Sequence, residues 1–167
     1  FLDDPTRILR AVRFESRFGF QIGQETIRLL KTALKSHAPS TVKPPRYFAE
    51  FRKFFVEKDP TVGLKRLAVL GGFDFIQPRF VLPVKALGKV AKAVLGLKKK
   101  VFFKRYDWST VYLLAFFSQS TRDQLIRFSR QFHFTAIELA SLQGLADAGD
   151  IISKLREGFS DLIAGFN

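Results

Sequence analysis

The sequence predicts an all-α fold, and three observations carry that prediction. Apolar residues recur at helical spacing along most of the 167-residue chain. Aspartate–proline pairs at 4–5 and 59–60 have the form of helix starts, a capping carboxylate followed by proline at the first helical position. Strand signals are weak throughout, and there is no internal repeat or low-complexity tract.

Each element follows in order. The first helix opens at Asp4-Pro5 and runs to Phe18, where Gly19 ends it. A second, near Glu25 to Lys35, places Ile27, Leu30, Ala33 and Leu34 on one face, and the turn-rich "SHAPSTVKPPR" (36–46) closes it. In the third, Tyr47, Phe48, Phe51, Phe54 and Phe55 share a face, while Arg46, Glu50, Lys53 and Glu57 line the opposite side. Asp59-Pro60 starts the fourth and Gly71-Gly72 stops it, followed by the apolar connection "FDFIQP" (73–78). A lysine-bearing helix spans about Val84 to Leu95, with Gly96 just past its end. "KKKVFFKR" (98–105) breaks the rhythm, and Trp108 to Phe117 resumes it. Ser120 with Asp123, and Thr135 with Glu138, read as capping boxes that start two more helices. Phe116, Phe117, Phe128, Phe132 and Phe134 read as packing residues, and His133 as a surface or capping residue.

Composition narrows the function classes. The chain has no cysteine, which removes disulfides, thiolate metal sites and cysteine nucleophiles and fits a reducing, cytoplasmic setting. His37 and His133 lack ligand-like spacing, the Ser, His and Asp residues show no triad pattern, and no apolar run is long enough to span a membrane. There is no signal-peptide pattern, and no methionine even at position 1, which leads us to expect a piece of a longer protein. The formal net charge is +13. Residues 58–106 hold 12 Lys+Arg against 2 Asp+Glu, residues 1–57 hold 11 against 6, and residues 107–167 hold 5 against 7. This basic middle belt points to a polyanion, RNA or DNA first, with an anionic membrane surface and plain solubility as rival readings.

The stretch "DDPTRILRAVRFESRFGF" (3–20) carries the sharpest signal. At about 100° per residue, Arg7, Arg10, Arg13 and Arg17 fall within an arc of roughly 120°, with Ile8, Ala11 and Val12 facing a core. Such crowding is repulsive unless carboxylates or phosphates sit opposite, and an internal network through Glu15 or Glu50 stays open. Asp4 and Arg7, three residues apart, pair an acceptor with a donor. Cytosine and adenine each present an amino donor beside a ring-nitrogen acceptor; uracil and guanine present the reverse. One fixed Asp–Arg pair therefore accepts C and A and opposes U and G, since a mismatch leaves charged groups unpaired. Asp4 as a plain helix cap is the alternative, although its two oxygens can divide the roles.

This motif closely resembles that of bacterial-type tRNA nucleotidyltransferases (the CCA-, CC- and A-adding enzymes) and bacterial poly(A) polymerases. "PPRYFAEFRKFF" (44–55) and "GLKRLAVLGGFDFIQP" (63–78) resemble further segments of that family, so the likeness covers residues 1 to about 80 well. The resemblance implies that Asp4 and Arg7 template the base of incoming CTP or ATP, with Asp3, Arg10 and Arg13 supporting template and nucleotide. Asp3 stands where glutamate is commoner, one methylene longer. The family's catalytic α/β head, with its phosphate loop and Asp-x-Asp pair for two-metal phosphoryl transfer, has no counterpart in this sequence. Mg2+ is accordingly expected only in that head, in the same parent chain or on a separate one, and this chain is expected to be inactive without it.

The expected organisation is a neck (1–57), a basic body (58–106) and a tail (107–167) that grip the acceptor and T arm of tRNA, or another RNA 3′ end. Lys98, Lys99, Lys100, Lys104 and Arg105 are the candidate phosphate contacts, with Tyr106 or Trp108 available to stack on a base. A basic turn between two helices is the equal alternative there. Two other readings of the whole remain: a non-catalytic RNA-binding module, and a helical scaffold with internally paired arginines. Whether CCA, CC, a single A or a poly(A) tail is the product is not encoded, because these activities share one template motif.

Overall fold

The computed structural model describes residues 1–98 and 108–149, and every regular element among them is helical. The elements are α1 (Thr6–Phe18), α2 (Gln24–Lys35), a 3-10 turn (Ala38–Thr41), α3 (Pro44–Arg52), α4 (Pro60–Val69), α5 (Val84–Lys98), α6 (Ser109–Phe116) and α7 (Arg122–Phe132). A further helix, α8, begins at 136 and continues through the described residues to 149.

The two aspartate–proline starts are built alike. The Thr6 amide and hydroxyl both donate to Asp4 Oδ1, at 3.2 and 2.7 Å. The Thr61 amide and hydroxyl donate to Asp59 Oδ1 at 2.9 and 2.6 Å. Each carboxylate thereby satisfies a backbone donor that the first helical turn leaves unpaired. The two helices pack together, and Gly63 is what permits it. A Cβ there would lie 2.7 Å from the Phe54 ring and 3.2 Å from Ser16 Oγ.

α3 is the hub of an aromatic core. Tyr47, Phe48, Phe51, Phe54 and Phe55 are all buried, as their shared face predicts. The Phe51 ring contacts those of Phe55, Phe73, Phe75 and Phe116, and Phe48 stacks on Phe132 of α7 with centroids 4.4 Å apart. Fully burying each such ring stabilises by about 1.5–3 kcal/mol. Phe116, Phe117, Phe128 and Phe132 are core residues, with Phe134 packed against them. A polar staple joins the same regions, because both Arg52 Nη atoms donate to the Glu138 carboxylate, Nη2 to Oε2 at 3.0 Å.

Four expectations need correction. α3 ends at Arg52, and Phe54 and Phe55 reach the core from tight turns closed by amide-to-carbonyl bonds three residues back. Glu50 and Glu57 do not line the solvent side but close over α1. Gly96 lies inside α5, whose helical bonding continues to Lys98. The box that starts α7 is Thr121 with Gln124, one residue beyond Ser120 and Asp123. Gln124 Oε1 accepts from the Thr121 amide at 2.8 Å, a reach that aspartate at 123 lacks. The Thr135–Glu138 box forms as expected, with amide bonds of 2.8 and 3.2 Å. His133, exposed and left-handed at φ 54°, ends α7.

Candidate functional site

The arginine stripe of α1 divides into two halves with different partners. Arg13 is buried: Nη1 donates to Glu57 Oε1 at 2.9 Å, Nη2 lies 3.7 Å from Glu50 Oε1, and the guanidinium sits 4.5 Å from the Phe14 ring centroid. Arg17 approaches the other Glu57 oxygen at 3.8 Å. Arg13, expected to support the template and the nucleotide, is buried and paired with carboxylates, fastens α1 to α3 and the turn beyond, and also lines the cavity described below. Glu15 serves a different arginine, accepting from Arg66 at 2.7 and 3.1 Å and from the Ile22 amide at 3.0 Å. Burial pushes the Glu15 carboxyl up, but the Arg66 hydrogen bonds, the Ile22 amide and the Arg66 charge together hold it below the ordinary glutamate value.

The other half faces outward. Asp3, Arg7 and Arg10 are exposed and form no ion pair among the described residues. Asp4 is partly exposed, and every hydrogen bond it accepts there falls on Oδ1, with Arg46 Nη2 also 3.7 Å from that oxygen. Oδ2 takes none. The Thr6 hydroxyl is the main cause holding this carboxyl below its ordinary value; slight burial opposes it, and the Thr6 amide and the charges of Arg46 and Arg7 assist. An ionised acceptor oxygen thus lies one helical turn from Arg7, whose charge reaches the carboxylate although the two form no ion pair.

Of the other predicted contacts, Lys98 closes α5, while Lys99, Lys100, Lys104, Arg105 and Tyr106 lie outside the described residues. Trp108 is partly buried against the core. The sequence reading missed Lys85, Lys89 and Lys92, which stand exposed along one face of α5; their spacing of four and three residues was the available signal. A cavity of about 510 Å³ lies between α1, α4, α5 and α6, lined by Arg17, Phe54, Lys58, Leu95 and Tyr112 among others. Neither Asp4 nor Arg7 lines it. Among the described residues no group of three or more histidines and carboxylates is placed to hold a metal ion. No described helix is long and apolar enough to cross a membrane.

Among the described residues, an exposed guanidinium, a partly exposed carboxylate and a row of exposed lysines thus stand on one helical frame. Comparison with known proteins makes the class specific. No family model matches the chain. It is 32% identical over 118 residues to the A-adding tRNA nucleotidyltransferase of Geobacter sulfurreducens, a match covering 69% of this chain and 13% of that protein. It is 35% identical over 78 residues to the multifunctional CCA protein of Neisseria gonorrhoeae, covering 47% of this chain and 19% of that one. The fold superposes on the Thermotoga maritima CCA-adding enzyme solved with tRNA, with TM-score 0.75 and 23% identity over 93% of this chain and 38% of that one. A solved tRNA-processing enzyme complex gives TM-score 0.79 at 22% identity, over 94% of this chain and 44% of that one. The chain belongs to the tRNA nucleotidyltransferase family, and spans less than a fifth of the length of these curated relatives.

Proposed function

We propose that this chain is the nucleotide-selecting and tRNA-binding portion of a tRNA nucleotidyltransferase, with neck, body and tail at 1–57, 58–106 and 107–167. One observation carries the reading: the Asp4 cap bonds among the described residues use Oδ1 alone, which leaves Oδ2 unused one helical turn from exposed Arg7. That acceptor–donor pair matches the amino group and ring nitrogen of cytosine or adenine. Asp3 and Arg10 flank it, and Arg13 contributes by holding α1 in place. Lys85, Lys89 and Lys92, with the basic stretch 98–105, supply the phosphate-binding flank for the acceptor and T arm. In this reading CTP and ATP are substrates, and Mg2+ and the phosphoryl-transfer carboxylates belong to the head domain, without which this chain is inactive.

The test uses the chain joined to its head domain. Asp4→Asn keeps an oxygen for the Thr6 cap and presents an amide donor where the base needs an acceptor. The expected result is a fall of about ten- to hundred-fold in CTP and ATP incorporation relative to UTP and GTP, with tRNA affinity retained. Unchanged nucleotide preference in both Asp4→Asn and Arg7→Ala would refute the template.

A further inference from the structure

We propose that Phe14, Phe18 and Phe20 form a stacking ridge for unpaired bases of the RNA strand. The proposal rests on the RNA reading above and extends it to residues that play no part in nucleotide selection. Phe18 is 67% exposed and Phe20 49%, whereas most of the other described phenylalanines are buried or packed against the core. Single exposed apolar residues need no explanation, but a contiguous aromatic patch marks a contact surface. The rings are ordered: Phe14 and Phe18 lie 5.8 Å apart, and Phe18 and Phe20 lie 6.4 Å apart with planes only 13° from parallel. Neither Phe18 nor Phe20 contacts any other described ring.

Charge decides what covers this surface. Arg7, Phe14 and Phe18 are spaced by seven and four residues, which aligns them within about 40° on α1 and sets Phe18 roughly 16 Å along the axis from Arg7. Exposed Arg10 and Arg17 border the same strip, and the Arg17 guanidinium is 5.6 Å from the Phe18 ring centroid. Arg10 has no carboxylate partner among the described residues, and the one near Arg17 is 3.8 Å away and shared with Arg13. Aromatic faces flanked by under-neutralised guanidinium groups fit a phosphodiester strand, each base stacking on a ring while phosphates meet arginines. A protein surface would need its own carboxylates to answer the same arginines. A distance of roughly 16 Å leaves room for a few nucleotides between the base reader and the ridge.

The experiment measures binding of this chain, joined to its head domain, to an acceptor–T-arm minihelix whose unpaired 3′ nucleotides carry 2-aminopurine, one at a time, across a salt series. Wild-type protein is expected to quench at least one position. Phe18→Leu/Phe20→Leu keeps apolar area and removes the π-faces; it is expected to abolish the quench and weaken binding about ten-fold. Phe18→Tyr/Phe20→Tyr is expected to retain both. Binding with no quench at any position, or a quench that survives the leucine pair, overturns the ridge and leaves the RNA reading standing. No binding at low salt overturns both. Concentration-dependent self-association that the leucine pair alters, with RNA binding unmoved, would mark the ridge as a protein contact and also overturn it.

Discussion

Replacing Glu57 by glutamine tests whether the buried half of the arginine stripe holds α1 in place. Arg13 keeps only 10% of its side-chain area exposed and Glu57 16%, so solvent cannot screen the pair well. Among the described residues the 2.9 Å bond from Nη1 is the one short contact of this guanidinium with a carboxylate, since Glu50 is 3.7 Å away and is itself bonded to Lys53 at 2.6 Å. Arg13 Nε has no hydrogen-bond partner among the described residues. Glutamine preserves the shape and removes the charge, stranding a buried cation.

Removing one partner of a buried pair typically costs about 3–5 kcal/mol, and a charged hydrogen bond about 1.5–3. Retained Glu50 and the remaining exposure favour the lower figure, so we expect a loss of about 2–3 kcal/mol. In urea, with an m-value of about 2 kcal/mol/M, the midpoint falls by about 1–1.5 M. Arg13→Met/Glu57→Leu removes both charges and should recover most of that loss, because no buried cation is left unpaired and Glu50 keeps Lys53 at 2.6 Å. A loss under about 0.5 kcal/mol in Glu57→Gln would refute the reasoning, and so would a double variant that loses as much as the single one.

Three further outcomes are expected. Tyr47 is buried, and its hydroxyl has no partner among the described residues, so Tyr47→Phe should stabilise by about 1 kcal/mol in the same urea titration. Stability should be flat from about pH 5.5 to 9 and fall on both sides. Asp4, Glu15 and Glu138 are depressed in the folded protein, so their contribution is present above the unfolded values of 3.8 and 4.5 and is lost as pH falls through the lower folded ones. Burial raises Tyr47, and burial with the Asp59 charge raises Tyr112, so the unfolded chain ionises first above pH 10.0 and stability drops there. A thermal melt series that stays flat down to pH 3 would contradict the acid limb. Asp4→Ala and Asp59→Ala should each cost about 1 kcal/mol as lost caps, and only the first should alter nucleotide choice in the head-containing enzyme.

The helix starts were legible because their cause is local. Proline fixes φ, the preceding carboxylate reaches a free amide, and neither needs the rest of the chain. The aromatic face of 47–55 was legible for the opposite reason, since so many phenylalanines at one spacing can only be buried together. Glu57 was misread because helical periodicity was carried past Arg52. The chain tightens there, and its i→i−3 bonds turn about 120° per residue in place of about 100°, which swings Glu57 onto Arg13. The α7 box was visible in the sequence as Thr121-x-x-Gln124. Passing over it ignored the extra methylene that lets glutamine, and not aspartate, reach back to the cap amide. The division of the arginine stripe was not legible, because it depends on which carboxylates the fold of α3 delivers to α1.

The second aspartate–proline helix shows what the first has added. Asp4-Pro5-Thr6 and Asp59-Pro60-Thr61 make the same pair of bonds to Oδ1, and both threonines are buried. Three residues after Asp59 stands Val62, half exposed; three residues after Asp4 stands Arg7. A cap therefore requires no arginine, and Arg7 is additional to the structural need. Nor does capping compete with base reading. An uncapped aspartate would rotate about both of its side-chain bonds, and ordering it on a base would cost conformational entropy. With Oδ1 anchored to Thr6, the direction of Oδ2 is set before any base arrives. In the proposed template the cap is what turns a flexible carboxylate into a fixed acceptor, and the guanidinium beside it completes the pattern that cytosine and adenine share.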